Sequence, residues 1–235
     1  MIRRLALQLC VAGTVLLAGC LPSRITTVTL YDRPDAFVRL ETDPTAEAGG
    51  HTHPASLSPE QMAAVLGGLT FDEPWAKLPL YDDLRQPPHH PALTESEIAL
   101  FAPLLSAALG KATPEELVTF YHSTPLSGGQ REITSGGIFV DGEDLHLILG
   151  NYRSPTHYSA DIGMPDTTDD RLTPLRALAP QRGRLGFTPQ EALREDSRRG
   201  FATWFQADRR EVIVHYKRVA PQASSRPSSP ASPRP

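Results

Sequence analysis

The chain has 235 residues, 23 Lys and Arg against 27 Asp and Glu, and a formal charge of −4. No long run of one sign occurs. Arg182, Arg184, Arg194, Arg198, Arg199, Arg209 and Arg210 are interleaved with acids, so they read as a solvated face and no nucleic-acid partner is expected. The only cysteines are Cys10 and Cys20.

Residues 1–20 read MIRRLALQLCVAGTVLLAGC. Arg3 and Arg4 form a short positive n-region, and Leu5–Leu17 is mainly apolar. That stretch is shorter than the roughly 20 residues a bilayer span needs. It ends in small residues and a Cys, not in a basic stop-transfer cluster.

Leu17-Ala18-Gly19-Cys20 resembles a lipobox, and the segment resembles the front of a bacterial lipoprotein precursor. The resemblance implies cleavage before Cys20 and lipid on its sulfur and amine. Residues 1–19 are then the signal peptide and 20–24 the lipidated N-terminus, with the membrane as first partner. Leu21 rather than Asp after the Cys favours the outer membrane, facing the periplasm. Loss of Arg3 and Arg4 takes the formal charge to about −6. With Cys10 removed and Cys20 acylated, the mature chain has no thiol for catalysis, zinc or a disulfide.

Ile25–Tyr31 and Ala36–Glu41 alternate as strands around the turn Asp32-Arg33-Pro34-Asp35. Residues 42–57 are rich in Gly, Pro, Thr and His and read as loop. Ser58-Pro59-Glu60-Gln61 opens a helix through a capping box with proline at its first position, and Gly67-Gly68 closes it. Residues 72–92 read as a proline-rich connector.

Thr94-Glu95-Ser96-Glu97 is a second capping box. Ile98, Phe101, Leu104, Leu105 and Leu109 follow at helical spacing. Pro103 is expected to kink or split that helix, and Gly110 to stop it. Glu116–His122, Glu132–Val140 and Leu145–Arg153 are strands, the last two joined across Asp141-Gly142. Residues 154–186 read as irregular, and Thr188-Pro189 starts a short helix. Residues 201–206 and 211–218 form a last hairpin, and the Pro/Ser-rich stretch from Ala220 a disordered tail.

The expected fold is therefore α+β. Antiparallel β-hairpins carry two or three short helices packed on one face, in a single domain over residues 25–219.

For metal chemistry the sharpest pattern is His51-Thr52-His53. Alternate residues of an extended loop point the same way and can share one ion, though a catalytic zinc needs a third protein ligand. His89-His90 or Glu60 can supply it; otherwise His51 and His53 are two exposed loop histidines. His89-His90 itself lies between prolines and reads as exposed loop. His122, His146 and His215 fall within strands and read as satisfied wall residues, clustering only if their strands are neighbours.

Asp141, Glu143 and Asp144 crowd a hairpin tip, and Asp166, Asp169 and Asp170 crowd a loop. Either group can offer oxygens to Ca²⁺, although turn chemistry and solvation explain them. Ser127-Gly128-Gly129 and Ser135-Gly136-Gly137 lack the lysine of a phosphate loop and read as loop and bulge. No G-x-S-x-G elbow or H-E-x-x-H occurs. No cofactor beyond the lipid on Cys20 is called for. Alternate aromatics among Phe120, Tyr121, Phe139, Tyr152, Trp204, Phe205 and Tyr216 are expected in the core, and the others on an exposed sheet face.

The function these features favour is a lipid-anchored, non-enzymatic envelope protein that binds another envelope component. A metal-binding protein using His51 and His53, and an envelope hydrolase, are the alternatives.

Overall fold

A computed structural model describes residues 26–46, 49–72, 87–127, 130–157, 170–178, 183–194 and 210–220. The signal segment, the lipobox, Trp75, Trp204, Phe205, the strand expected at 201–206 and the tail lie outside them.

The main sheet has six antiparallel strands: β1 (Thr26–Asp32), β2 (Ala36–Thr42), β5 (Glu116–Pro125), β6 (Gln130–Asp141), β7 (Asp144–His157) and β9 (Arg210–His215). Their spatial order is β1-β2-β5-β6-β7-β9. Both complete hairpins expected from the sequence are present, and β6 and β7 run on beyond their expected ends. The β6–β7 loop is Gly142-Glu143, with Gly142 at φ +60°, where a side chain would be strained. The expected partner of β9 lies outside the described residues, and β9 instead lines up along β7. Residues 216–218, expected as strand, form a 3₁₀ turn.

A second sheet has the order β4-β3-β8, with β3 at Leu69–Asp72, β4 at His89–Pro91 and β8 at Arg184–Phe187. The sequence reading placed β4 in a connector and β8 in an irregular stretch. All three strands are only three or four residues long, too short for alternation to register.

Two α-helices occur among the described residues, α1 (Pro59–Gly68) and α2 (Glu95–Leu109). Both capping boxes form as expected. The third expected helix is one 3₁₀ turn, Gln190–Ala192. Pro103 does not split α2, which runs unbroken through it. Ala99 and Pro103 are both exposed, so water can satisfy the carbonyl that proline leaves without an amide. The architecture is α+β but mostly β, with fewer helices than the upper expectation.

Both helices and the second sheet share one apolar cluster with one face of the main sheet. It contains Val38, Leu40, Met62, Leu66, Phe71, Phe101, Leu105, Val118, Phe120, Ile138, Leu147 and Val212. The alternation in β2, β5 and β7 builds this face. The opposite face buries a smaller cluster, Phe37, Tyr121 and Ile133. Residues 170–178 are held across it, contrary to the expectation of an open sheet face. Ser135 Oγ donates to Pro174 O at 2.6 Å. The buried amide of Asn151 donates to Arg176 O at 2.8 Å and accepts from Leu178 N at 2.8 Å. Gly150 allows the approach, because a Cβ there would lie 2.6 Å from Pro174 O.

Candidate functional site

His51 and His53 lie on this second face, and neither is exposed. His51 stacks on Phe139 with ring centroids 4.2 Å apart, and Phe139 stacks on His146 at 4.4 Å. Each end of the three-ring row meets a carboxylate: Asp43 Oδ2 lies 3.2 Å from His51 Nε2, and Glu211 Oε1 2.8 Å from His146 Nδ1. His53 is buried between backbone groups. Its Nε2 accepts from Val140 N at 3.1 Å, which leaves Nδ1 to donate to Thr113 O at 3.3 Å. Burial, reinforced by nearby His51, lowers the His53 pKa and favours this neutral form. While both bonds hold, His53 has no lone pair to give a metal. Among the described residues no group of three or more His, Cys, Asp or Glu is placed to hold an ion.

Three of the acids in the two acidic clusters are partnered as well. Asp144 meets Arg194 at 2.7 Å and His215 at 2.5 Å, and Glu143 meets Lys217 at 2.9 Å. Asp170 accepts from Tyr121 Oη at 3.1 Å and from Arg131 at 2.9 Å. Burial and the charge of Asp170 push the Tyr121 hydroxyl up to about 12. Asp166 and Asp169 lie outside the described residues. His146 and His215 sit on neighbouring strands, but β6 separates His122 from them, so the three do not form one cluster.

A further row of polar groups lies at the far end of the helix-covered face. Val118 and Phe120 are apolar there, but the next position on that face of β5 is His122. Its Nδ1 is 2.9 Å from Glu97 Oε1. The other Glu97 oxygen accepts from Thr94 N and Thr94 Oγ1, both at 2.8 Å, so the capping box of α2 also fixes the carboxylate. Burial alone would raise the Glu97 pKa. The bonds from His122 and Thr94 outweigh it and hold the group below the usual carboxylate value. An ionised carboxylate only accepts, so Nδ1 of His122 carries a proton toward Glu97, and Nε2 is left for another partner. The His122 side chain stays 23% exposed, against 9% for Glu97.

Next along this row stands Thr134, paired with His122 across β5 and β6. Beyond it β7 is irregular. Ile133 pairs with Ser154 and Ser135 with Asn151, so two residues of β7, Tyr152 and Arg153, oppose Thr134. Asn151 and Ser154 are hydrogen-bonded to each other, and Asn151 reaches Ser135 on the second face. The bulge therefore turns both Tyr152 and Arg153 toward the helix-covered face. Tyr152 stacks on Phe71 at 3.9 Å. Its hydroxyl lies 2.8 Å from Nε2 of His90, whose Nδ1 is 2.9 Å from Pro87 O. Since that carbonyl only accepts, His90 Nδ1 donates to it, and in the neutral ring Nε2 accepts from the Tyr152 hydroxyl. His90, expected in an exposed loop, is thus buried inside β4.

The TxxE capping box at 94–97 was legible in the sequence, but its second bond to His122 was not. Two register shifts in β7 decide which way Tyr152 and Arg153 face, and the strand that buries His90 is three residues long, so neither placement shows in a local pattern.

No protein-family model, no curated protein and no solved structure matches this chain. What defines it is its own architecture: a two-sheet, mostly antiparallel α+β domain with a polar row at one end of its helix-covered face.

Proposed function

We propose that the chain is a lipid-anchored protein of the bacterial cell envelope whose domain binds another envelope component. The observation that carries this reading is Leu17-Ala18-Gly19-Cys20 at the end of a short apolar stretch behind two arginines. Two or three acyl chains on Cys20, at about 0.8 kcal/mol per buried methylene, make the attachment stable where one chain would not. Leu21 in place of Asp supports the outer membrane, facing the periplasm.

Binding rather than catalysis is supported by the polar groups of the domain, most of which are matched to one another. It is also supported by β1. That strand begins six residues after Cys20, its first four residues are exposed, and among the described residues only β2 pairs with it. An edge of this kind accepts an added strand.

The test is fractionation of cells carrying wild-type protein or Cys20→Ser, with crosslinking in intact cells. Wild type should pellet with membranes and capture one reproducible envelope partner. Cys20→Ser should leave the membrane fraction and lose the partner while keeping its melting temperature. Equal membrane association of the two proteins would overturn the anchor.

A further inference from the structure

We propose that His122 and Arg153 are the two ends of a binding site for a small carboxylate ligand that also carries an amide or hydroxyl donor. The site goes beyond the anchor and the β1 edge and depends on neither.

The argument starts from what is left unengaged. His122 uses Nδ1 on Glu97 and presents an edge contact to Phe101, with ring centroids 6.1 Å apart. Nothing among the described residues bonds to its Nε2. Arg153 lies with its guanidinium carbon 5.7 Å from the centre of the Tyr152 ring, and its backbone N–H reaches Thr134 Oγ1 at 3.4 Å. No described carboxylate pairs with it. Four other described arginines are paired with acids: Arg39 and Arg171 with Asp32, Arg131 with Asp170 and Arg194 with Asp144.

Arg153 is also held at a cost. It is the only non-glycine residue at positive φ among the described residues, at +42°. Such backbone persists where its surroundings enforce it and is concentrated at functional positions. Here the strained residue is the one that brings a cation onto the helix-covered face. The opposite solution, glycine, is used at Gly142 before the other end of β7, where only a turn is needed.

The spacing defines the ligand. Adjacent strands lie about 4.8 Å apart, so His122 on β5 and Arg153 on β7 are separated by about 10 Å, with Thr134 between them. A guanidinium fork fits a carboxylate in two parallel hydrogen bonds. In the neutral ring, whose Nδ1 proton Glu97 fixes, His122 offers an acceptor at Nε2 and so receives an N–H or O–H. The carboxylate and first N–H of an N-acetyl dipeptide lie about 6 Å apart, and a hydrogen bond of about 3 Å at each end lets them bridge such a gap.

The probes are N-acetyl-Ala-Ala, the same dipeptide as its C-terminal amide, and inorganic phosphate, titrated by calorimetry against the detergent-solubilised full chain. The acid should bind saturably and the amide at least about tenfold more weakly. Arg153→Gly should reduce binding of the acid by about tenfold or more, and Arg153→Lys should not restore it, since lysine lacks the fork. His122→Phe should weaken binding of the acid as well. Arg153→Gly should also raise the melting temperature by about 2–4 °C, because glycine removes the backbone strain. That combined gain and loss separates a ligand-binding arginine from one that merely supports the fold. Equal binding of acid and amide, unchanged binding by Arg153→Gly, no saturable binding, or phosphate binding more tightly than the dipeptide would overturn the assignment.

Discussion

The two faces of the main sheet are held in different ways. The helix-covered face is closed by apolar side chains from two helices, two sheets and the 3₁₀ turns, with Phe101, Leu105, Phe120 and Leu147 fully buried in one cluster. Among the described residues the other face has a smaller apolar cluster of its own, Phe37, Tyr121 and Ile133 with Leu178 against them, and residues 170–178 are fastened over it by polar contacts. Area removed from water stabilises the first face, and matching of hydrogen bonds and charges keeps the second covered. A loss on the first should therefore be felt by the whole domain, and a loss on the second mainly by one strap.

The largest expected effect comes from the apolar side. Phe101→Ala removes a ring packed 5.4 Å from Phe120 and should cost about 3–5 kcal/mol of global stability in a denaturant melt. Asn151→Ala, on the other face, strands Arg176 O and Leu178 N and should cost about 2–3 kcal/mol. Its hydrogen exchange should rise most over residues 174–178. If Asn151→Ala raised exchange evenly over both faces, the contrast between them would fail.

A smaller effect concerns acid. The folded His53 pKa lies below its unfolded value near 6.5, so protons bind the unfolded chain preferentially and stability falls as pH drops below that value. Glu97 and Glu116 are held below 4.5 in the fold, Glu116 despite its burial and because of bonds from Thr27 and Thr113. Their contribution is present above pH 4.5 and is lost as pH falls through their folded values. His53→Gln should flatten the first step, between about pH 7 and 5.5, and leave the second. A variant with the same loss as wild type over the first interval would remove His53 from the account.

The same contrast explains what the sequence disclosed. AFVRLE, ELVTFYH and LHLILG, with the boxes at Ser58 and Thr94, mark elements of the helix-covered layer through apolar residues at every second position, Val38 and Leu40, Val118 and Phe120, and Leu145, Leu147 and Leu149; ITTVTLY reads as strand from its β-branched residues, although its first four residues in the strand are exposed. The second face has no such period. His51 does lie in a loop, as the composition of residues 42–57 implies, but its covering by Phe139 comes from a distant strand and leaves no local signal. Arg153 looked like the end of a strand, and only the bulge opposite Thr134 decides its direction. Polar pairing across long separations leaves no mark in a local window, so the polar row and the strap could not be read in advance.

The function proposed for the domain rests on where it is held, and the mass of the mature N-terminus measures that directly. Mass spectrometry of the full-length protein purified from bacterial membranes should find residues 1–19 absent and the first residue, Cys20, carrying acyl chains. A chain that retains Met1, or begins at Cys20 with no lipid, would contradict the account.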